Sequence, residues 1–101
     1  MIISGGVNVF PLDIEEVVTH HSQVKEVAVF GVPDAKWGEV PIAAVILKKA
    51  DAISAEELTA WINENVAAKF QRVREVLLMD DFPRNVAGKT LKRVMQEEYA
   101  A

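Results

Sequence analysis

The run Ile42-Ala43-Ala44-Val45-Ile46-Leu47 constrains the fold more than any other part of the chain. Consecutive apolar residues leave a strand no polar side, so both faces must be covered. A partner strand lies upstream, where Val24 to Val32 is rich in β-branched residues. Pro33-Asp34 is expected to end that strand and Pro41 to open the next. The eight residues between carry Trp37-Gly38-Glu39 and form a loop long enough for antiparallel pairing.

Around this pair the chain alternates. Met1-Ile2-Ile3 reads as a short strand, Ser4-Gly5-Gly6 as a turn of permissive backbone, and Val7 to Phe10 as a second short strand. Pro11 suits the first position of a helix, and Asp13, Glu15 and Glu16 follow where the macrodipole favours anions. Ile14, Val17 and Val18 share its apolar face, and its end is expected near His20-His21. Ser54 with Glu57 forms a capping box, with Ile53 and Leu58 as the staple. Leu58, Trp61, Ile62 and Val66 make the buried stripe of that helix. Val73 to Met79 reads as a strand, Asp80 to Gly88 as a loop, and Thr90 as the cap of a last helix. The expected fold is one α+β domain over residues 1–101. Its small mixed or antiparallel sheet is flanked by about three helices.

Half of the 101 residues are hydrophobic, enough for a core without staples, and there is no cysteine for a disulfide or thiolate chemistry. No stretch reaches the ~18 apolar residues of a membrane span, and the start lacks the pattern of a signal peptide. A cytoplasmic location is expected. The net charge of −4 divides unevenly, −6 over residues 1–66 and +2 over residues 67–101. That balance argues against nucleic acid as a partner and for a local anion site in the last third.

Within that third, Arg84, Lys89, Lys92 and Arg93 occur with no acid between them. Lys89 follows Gly88 and precedes the expected last helix, where a cation is locally disfavoured. A lysine facing phosphate or carboxylate oxygens would offset charge in a transition state. An ordinary solvated lysine is the plainer reading. Gly88-Lys89-Thr90 ends like a phosphate-cradling loop, but Pro83 stands where that loop needs its first glycine. Ser4-Gly5-Gly6 is either a plain hairpin turn or bare backbone along which a thin ligand runs. His20-His21 makes no metal site, since adjacent residues on a helix diverge and the chain has no other histidine. The acidic groups near residues 13–16 and 80–81 are explained by helix-start complementarity and loop solvation. Trp61 reads as core, whereas Trp37 either covers the sheet or meets a partner.

Three motifs in order resemble one family. Met1-Ile2-Ile3-Ser4-Gly5-Gly6-Val7-Asn8-Val9-Phe10-Pro11 with Ile14-Glu15 looks like the start of the small C-terminal domain of acyl-CoA synthetases. These belong to the adenylate-forming enzymes. Val29 to Asp34 with Trp37-Gly38-Glu39, and Phe82-Pro83-Arg84-Asn85 with Gly88-Lys89, resemble the middle and closing motifs. Gln71 and Val73 depart from the pattern, which often has lysine and proline there.

The resemblance implies a lid that adopts two orientations on a large N-terminal domain, which lies outside this chain. That domain would bind ATP, Mg2+ and the carboxylic acid. In one orientation Lys89 would reach the acyl carboxylate and α-phosphate as the catalytic lysine. In the other, Ser4, Gly5 and Gly6 would line the channel for the arm of coenzyme A. The isolated lid should fold yet catalyse nothing measurable, and in the whole enzyme acetylation of Lys89 would stop the adenylation step by removing its charge. Two alternatives remain at this point: a free-standing, non-catalytic α+β binding module, and a lid serving a carrier protein instead of coenzyme A.

Overall fold

The computed structural model describes residues 1–100. Their elements run β1 (Ile2–Ser4), β2 (Val7–Val9), α1 (Pro11–Thr19), β3 (Val24–Asp34) and β4 (Gly38–Leu47). Then come α2 (Ala55–Asn65), a 3-10 turn (Lys69–Gln71), β5 (Val76–Leu78) and α3 (Lys92–Ala100). The sheet is mixed: β3 and β4 form a long antiparallel hairpin, and β5 joins β4 in parallel. The β1–β2 hairpin reaches the same edge of β4 through the pair Ser4 and Gly38.

Both faces of the apolar run are covered, so the domain is α+β in three layers. Val29, Ala43 and Val45 meet Ile14 and Val18 of α1 and Leu58 and Ile62 of α2. Phe30, Ile42, Ala44 and Ile46 point the other way, onto Phe82 and Met95 of the α3 layer. Among the described residues no helix is long and apolar enough to cross a membrane.

Several expected boundaries move, each for a physical reason. Neither Pro33 nor Pro41 interrupts the hairpin; both lie inside strands, paired with Glu39 and Gly31. The Val29 N–H and the Gly31 carbonyl point to the free edge of β3, so period-2 alternation turns Pro33 outward as well. Pro41 turns toward the β5 side, where its carbonyl accepts the Arg74 N–H at 2.9 Å. Neither proline removes a ladder bond between β3 and β4, and the loop shrinks to Ala35, Lys36 and Trp37. The expected strand over residues 73–79 forms only at Val76–Leu78, the stretch that finds a partner on β4. Thr90 does not cap α3. It bridges to Arg84, Leu91 donates its N–H to the Pro83 carbonyl at 2.8 Å, and the helix starts at Lys92.

The free edge of β3 is closed by side chains. Glu15 of α1 accepts the Val29 N–H at 2.8 Å and pairs with Lys92 of α3 at 2.9 Å. Gln96 of α3 donates to the Gly31 carbonyl at 2.8 Å. An edge covered this way is not available to add a foreign strand.

Candidate functional site

Lys89 lies on a short, tightly tied loop. The Asn85 side-chain oxygen accepts the N–H groups of Ala87 and Lys89, both at 3.0 Å. The Asn85 N–H donates to the Lys89 carbonyl at 3.0 Å, which closes the turn. Gly88 takes a φ of 82°, a region that favours glycine. Because α3 begins three residues later, Lys89 is not at a helix start, and the expected dipole conflict does not arise.

Below the loop, Arg84 is the anchor. Its guanidinium pairs with Glu26 on β3 at 2.7 Å and with Asp81 at 3.4 Å. The hydrogen bond that Arg84 donates to Glu26 holds the Arg84 pKa above its usual value. Lys92 is paired with Glu15, and Arg93 with Glu97 at 3.4 Å. Lys89 is the one member of the cationic run without a carboxylate partner among the described residues, and it is exposed. Its backbone is pinned while its ammonium is left to solvent.

Ser4 and Gly5 lie elsewhere, lining a cleft of about 480 Å³, while Gly6 follows them in the β1–β2 turn and is not among its lining residues. Gly5 and Gly6 have φ values of 57° and 80°. The Gly5 N–H donates to the Trp37 carbonyl at 2.8 Å, and a Cβ on Gly5 would stand 3.0 Å from Trp37 Cε3. Ser4, Gly5 and Val7 of the β1–β2 hairpin, Trp37, Val40 and Pro41 of the β3–β4 hairpin, and Lys69, Phe70 and Arg72 around the 3-10 turn line it. The lining is largely apolar with two exposed cations, Lys69 and Arg72, a surface suited to a narrow chain ending in anionic groups.

Phe70, Lys69 and Arg72 were not picked out in the sequence as site residues. The signal available was an aromatic between two cations in a non-helical stretch; its meaning depends on a neighbour over sixty residues away in the chain. The departures at positions 71 and 73 leave this turn intact. Gln71 accepts the Ala68 N–H at 3.1 Å, and buried Val73 exchanges two backbone bonds with the Asn63 amide at 2.8 and 3.1 Å.

Lys89 and the glycine loop are not brought together. Arg84 meets β3 at Glu26, whereas Ser4 meets β4 opposite Asp34. Those two positions on β3 lie eight residues apart, about 26 Å of strand. The remaining candidates have structural roles: His20 contacts the Glu16 carbonyl at 2.8 Å, and His21 stacks edge-on against Trp61 at 4.8 Å.

Known proteins share both the sequence and the shape. Residues 13–89 match a family described as the AMP-binding enzyme C-terminal domain, a span that ends on Lys89. The long-chain-fatty-acid–CoA ligase FadD13 of Mycobacterium tuberculosis is 40% identical over 101 residues, which is 100% of this chain and 20% of that protein. The 2-succinylbenzoate–CoA ligase of Lactococcus lactis is 40% identical over 96 residues, 95% of this chain and 20% of that one. The crystal structure of apo MatB from Rhodopseudomonas palustris superposes with a TM-score of 0.88 at 38% identity, covering 96% of this chain and 19% of that one. The chain thus spans about a fifth of the length of the relatives it matches.

Proposed function

The chain belongs to the family of AMP-binding enzyme C-terminal domains, and from that membership we propose that it is the lid of an ATP-dependent acid–thiol ligase. Two half-reactions would be served. In the first, a carboxylate oxygen attacks the α-phosphorus of ATP and pyrophosphate leaves, giving an acyl-adenylate. In the second, the coenzyme A sulfur attacks the acyl carbon and AMP leaves, giving the thioester.

Lys89 would act in the first step. Carboxylate and phosphate oxygens crowd together there, and a positioned cation offsets their charge. The observation that carries this reading is that Lys89, alone among its cationic neighbours, has no carboxylate partner among the described residues, although its loop is held by Asn85 and Arg84. Ser4, Gly5 and Gly6 would act in the second step, as the wall along which the thiol arm passes. Arg72 and Lys69 suit the phosphates of that cofactor. Magnesium would travel with ATP on the larger domain.

The separation of the two loops supports a lid that turns between steps, a gating motion that completes one site and then another. The test uses the whole ligase and measures the half-reactions apart. Lys89→Ala is expected to slow pyrophosphate release roughly 10²–10³-fold while a pre-made adenylate is still converted to thioester at near-normal rate. Gly5→Ala is expected to do the reverse. Equal losses in both steps for either variant would contradict the division of labour.

A further inference from the structure

Trp37 is half exposed on a three-residue loop, yet it forms a wall of the cleft. One carboxylate holds it there. Asp34 Oδ2 accepts the N–H of Trp37 at 2.8 Å and that of Lys36 at 3.0 Å. Asp34 Oδ1 pairs with the Arg74 guanidinium. The Trp37 N–H, together with that of Lys36 and with Arg74, holds the Asp34 carboxyl below the usual aspartate range against the opposing effect of its partial burial.

The consequences run to both sides of the cleft. Trp37 passes its position to the glycine loop, because its carbonyl takes the Gly5 N–H at 2.8 Å. Arg74 stands two residues beyond Arg72, and its own N–H is fixed on the Pro41 carbonyl at 2.9 Å. One side chain therefore ties the Trp37 wall to the segment that carries Phe70 and Arg72. A turn that needed only closing would use the two N–H bonds and no ion pair.

We propose that Asp34 is a positioning residue of the cleft, setting the distance between its two walls through Trp37 and Arg74 without touching the ligand. This rests on the reading of the cleft as the path of the coenzyme A arm. Asp34 should then govern how well the thiol cofactor binds and leave the adenylation step alone.

The experiment measures both half-reactions of the whole ligase with coenzyme A as the varied substrate. Asp34→Ala is expected to raise the KM for coenzyme A about tenfold, with pyrophosphate release in the absence of coenzyme A unchanged. Asp34→Asn keeps an oxygen for the Trp37 N–H but loses the charge toward Arg74, and should recover part of that loss. An unchanged KM in a folded Asp34→Ala enzyme would overturn the proposal, as would parallel losses in both steps. If Asp34→Ala does not fold, Asp34→Asn carries the same test, and an unchanged KM there is equally fatal. Gly5→Ala separates the two levels. A KM unmoved by Gly5→Ala removes the reading of the cleft itself, whereas a shift with Gly5→Ala and none with Asp34→Ala removes only the role of Asp34.

Discussion

Among the residues, Lys89 and Gly31 show how much a position depends on its neighbours. The four cations between residues 84 and 93 look alike in sequence, but Arg84, Lys92 and Arg93 are committed to carboxylates. The sequence pointed to Lys89 through its motif, while the helix-start argument for it did not survive the hairpin of Arg84 and Thr90. Gly31 drew no notice beyond its motif, yet its place is the tightest of the glycines. A Cβ there would stand 2.9 Å from Ile2 Cγ1 and 3.1 Å from Glu39 Oε2, and Ile2 is buried with nowhere to retreat. Gly31→Ala is expected to destabilise the domain by about 1–3 kcal/mol through overpacking. Thermal melts of the 101-residue chain would show it, at roughly 4–8 °C per kcal/mol for a domain of this size. An unchanged melting temperature would mean that β1 can shift away.

At the level of elements, what could be read from the sequence was what local chemistry decides. The α2 cap forms as the Ser-x-x-Glu pattern requires, with the Ser54 hydroxyl oxygen accepting the Glu57 N–H at 3.1 Å. The return bond differs: the Glu57 carboxylate accepts a hydrogen bond from the Ser54 hydroxyl at 3.1 Å. Ser54→Ala should cost about 1 kcal/mol, visible as a lower midpoint in urea with an unchanged slope. The apolar run of β4 announced burial on two faces, and its partner β3 was equally clear. What the sequence could not give was direction. Pro33 and Pro41 read as strand breakers because a one-dimensional string does not say which edge a missing N–H faces. The length of β5 was likewise hidden, since three residues are fixed by a parallel neighbour far away in the chain. The candidate site divided along the same line. Ser4, Gly5, Gly6 and Lys89 were legible as motifs, while Phe70 and Arg72 acquire meaning only once the fold sets them on the same cleft as Ser4 and Gly5.

Taken whole, the molecule is a three-layer body with the two candidate loops at separated points of one hairpin. The Glu26 end of β3 carries the anchor of the Lys89 loop, and the Asp34 end carries the glycine loop and its cleft. Covered sheet faces and a closed β3 edge make a rigid unit, so the two loops would be presented by turning the unit and not by bending it. The chain has no cysteine, and Val86, on the loop that carries Lys89, is fully exposed. A fluorophore on Val86→Cys, with a second on the larger domain of the whole ligase, would therefore report the position of the Lys89 loop by energy transfer. With acid and ATP bound, transfer should be high, and it should fall when coenzyme A is added to the adenylate complex. Transfer that stays the same through both half-reactions would contradict a lid that turns.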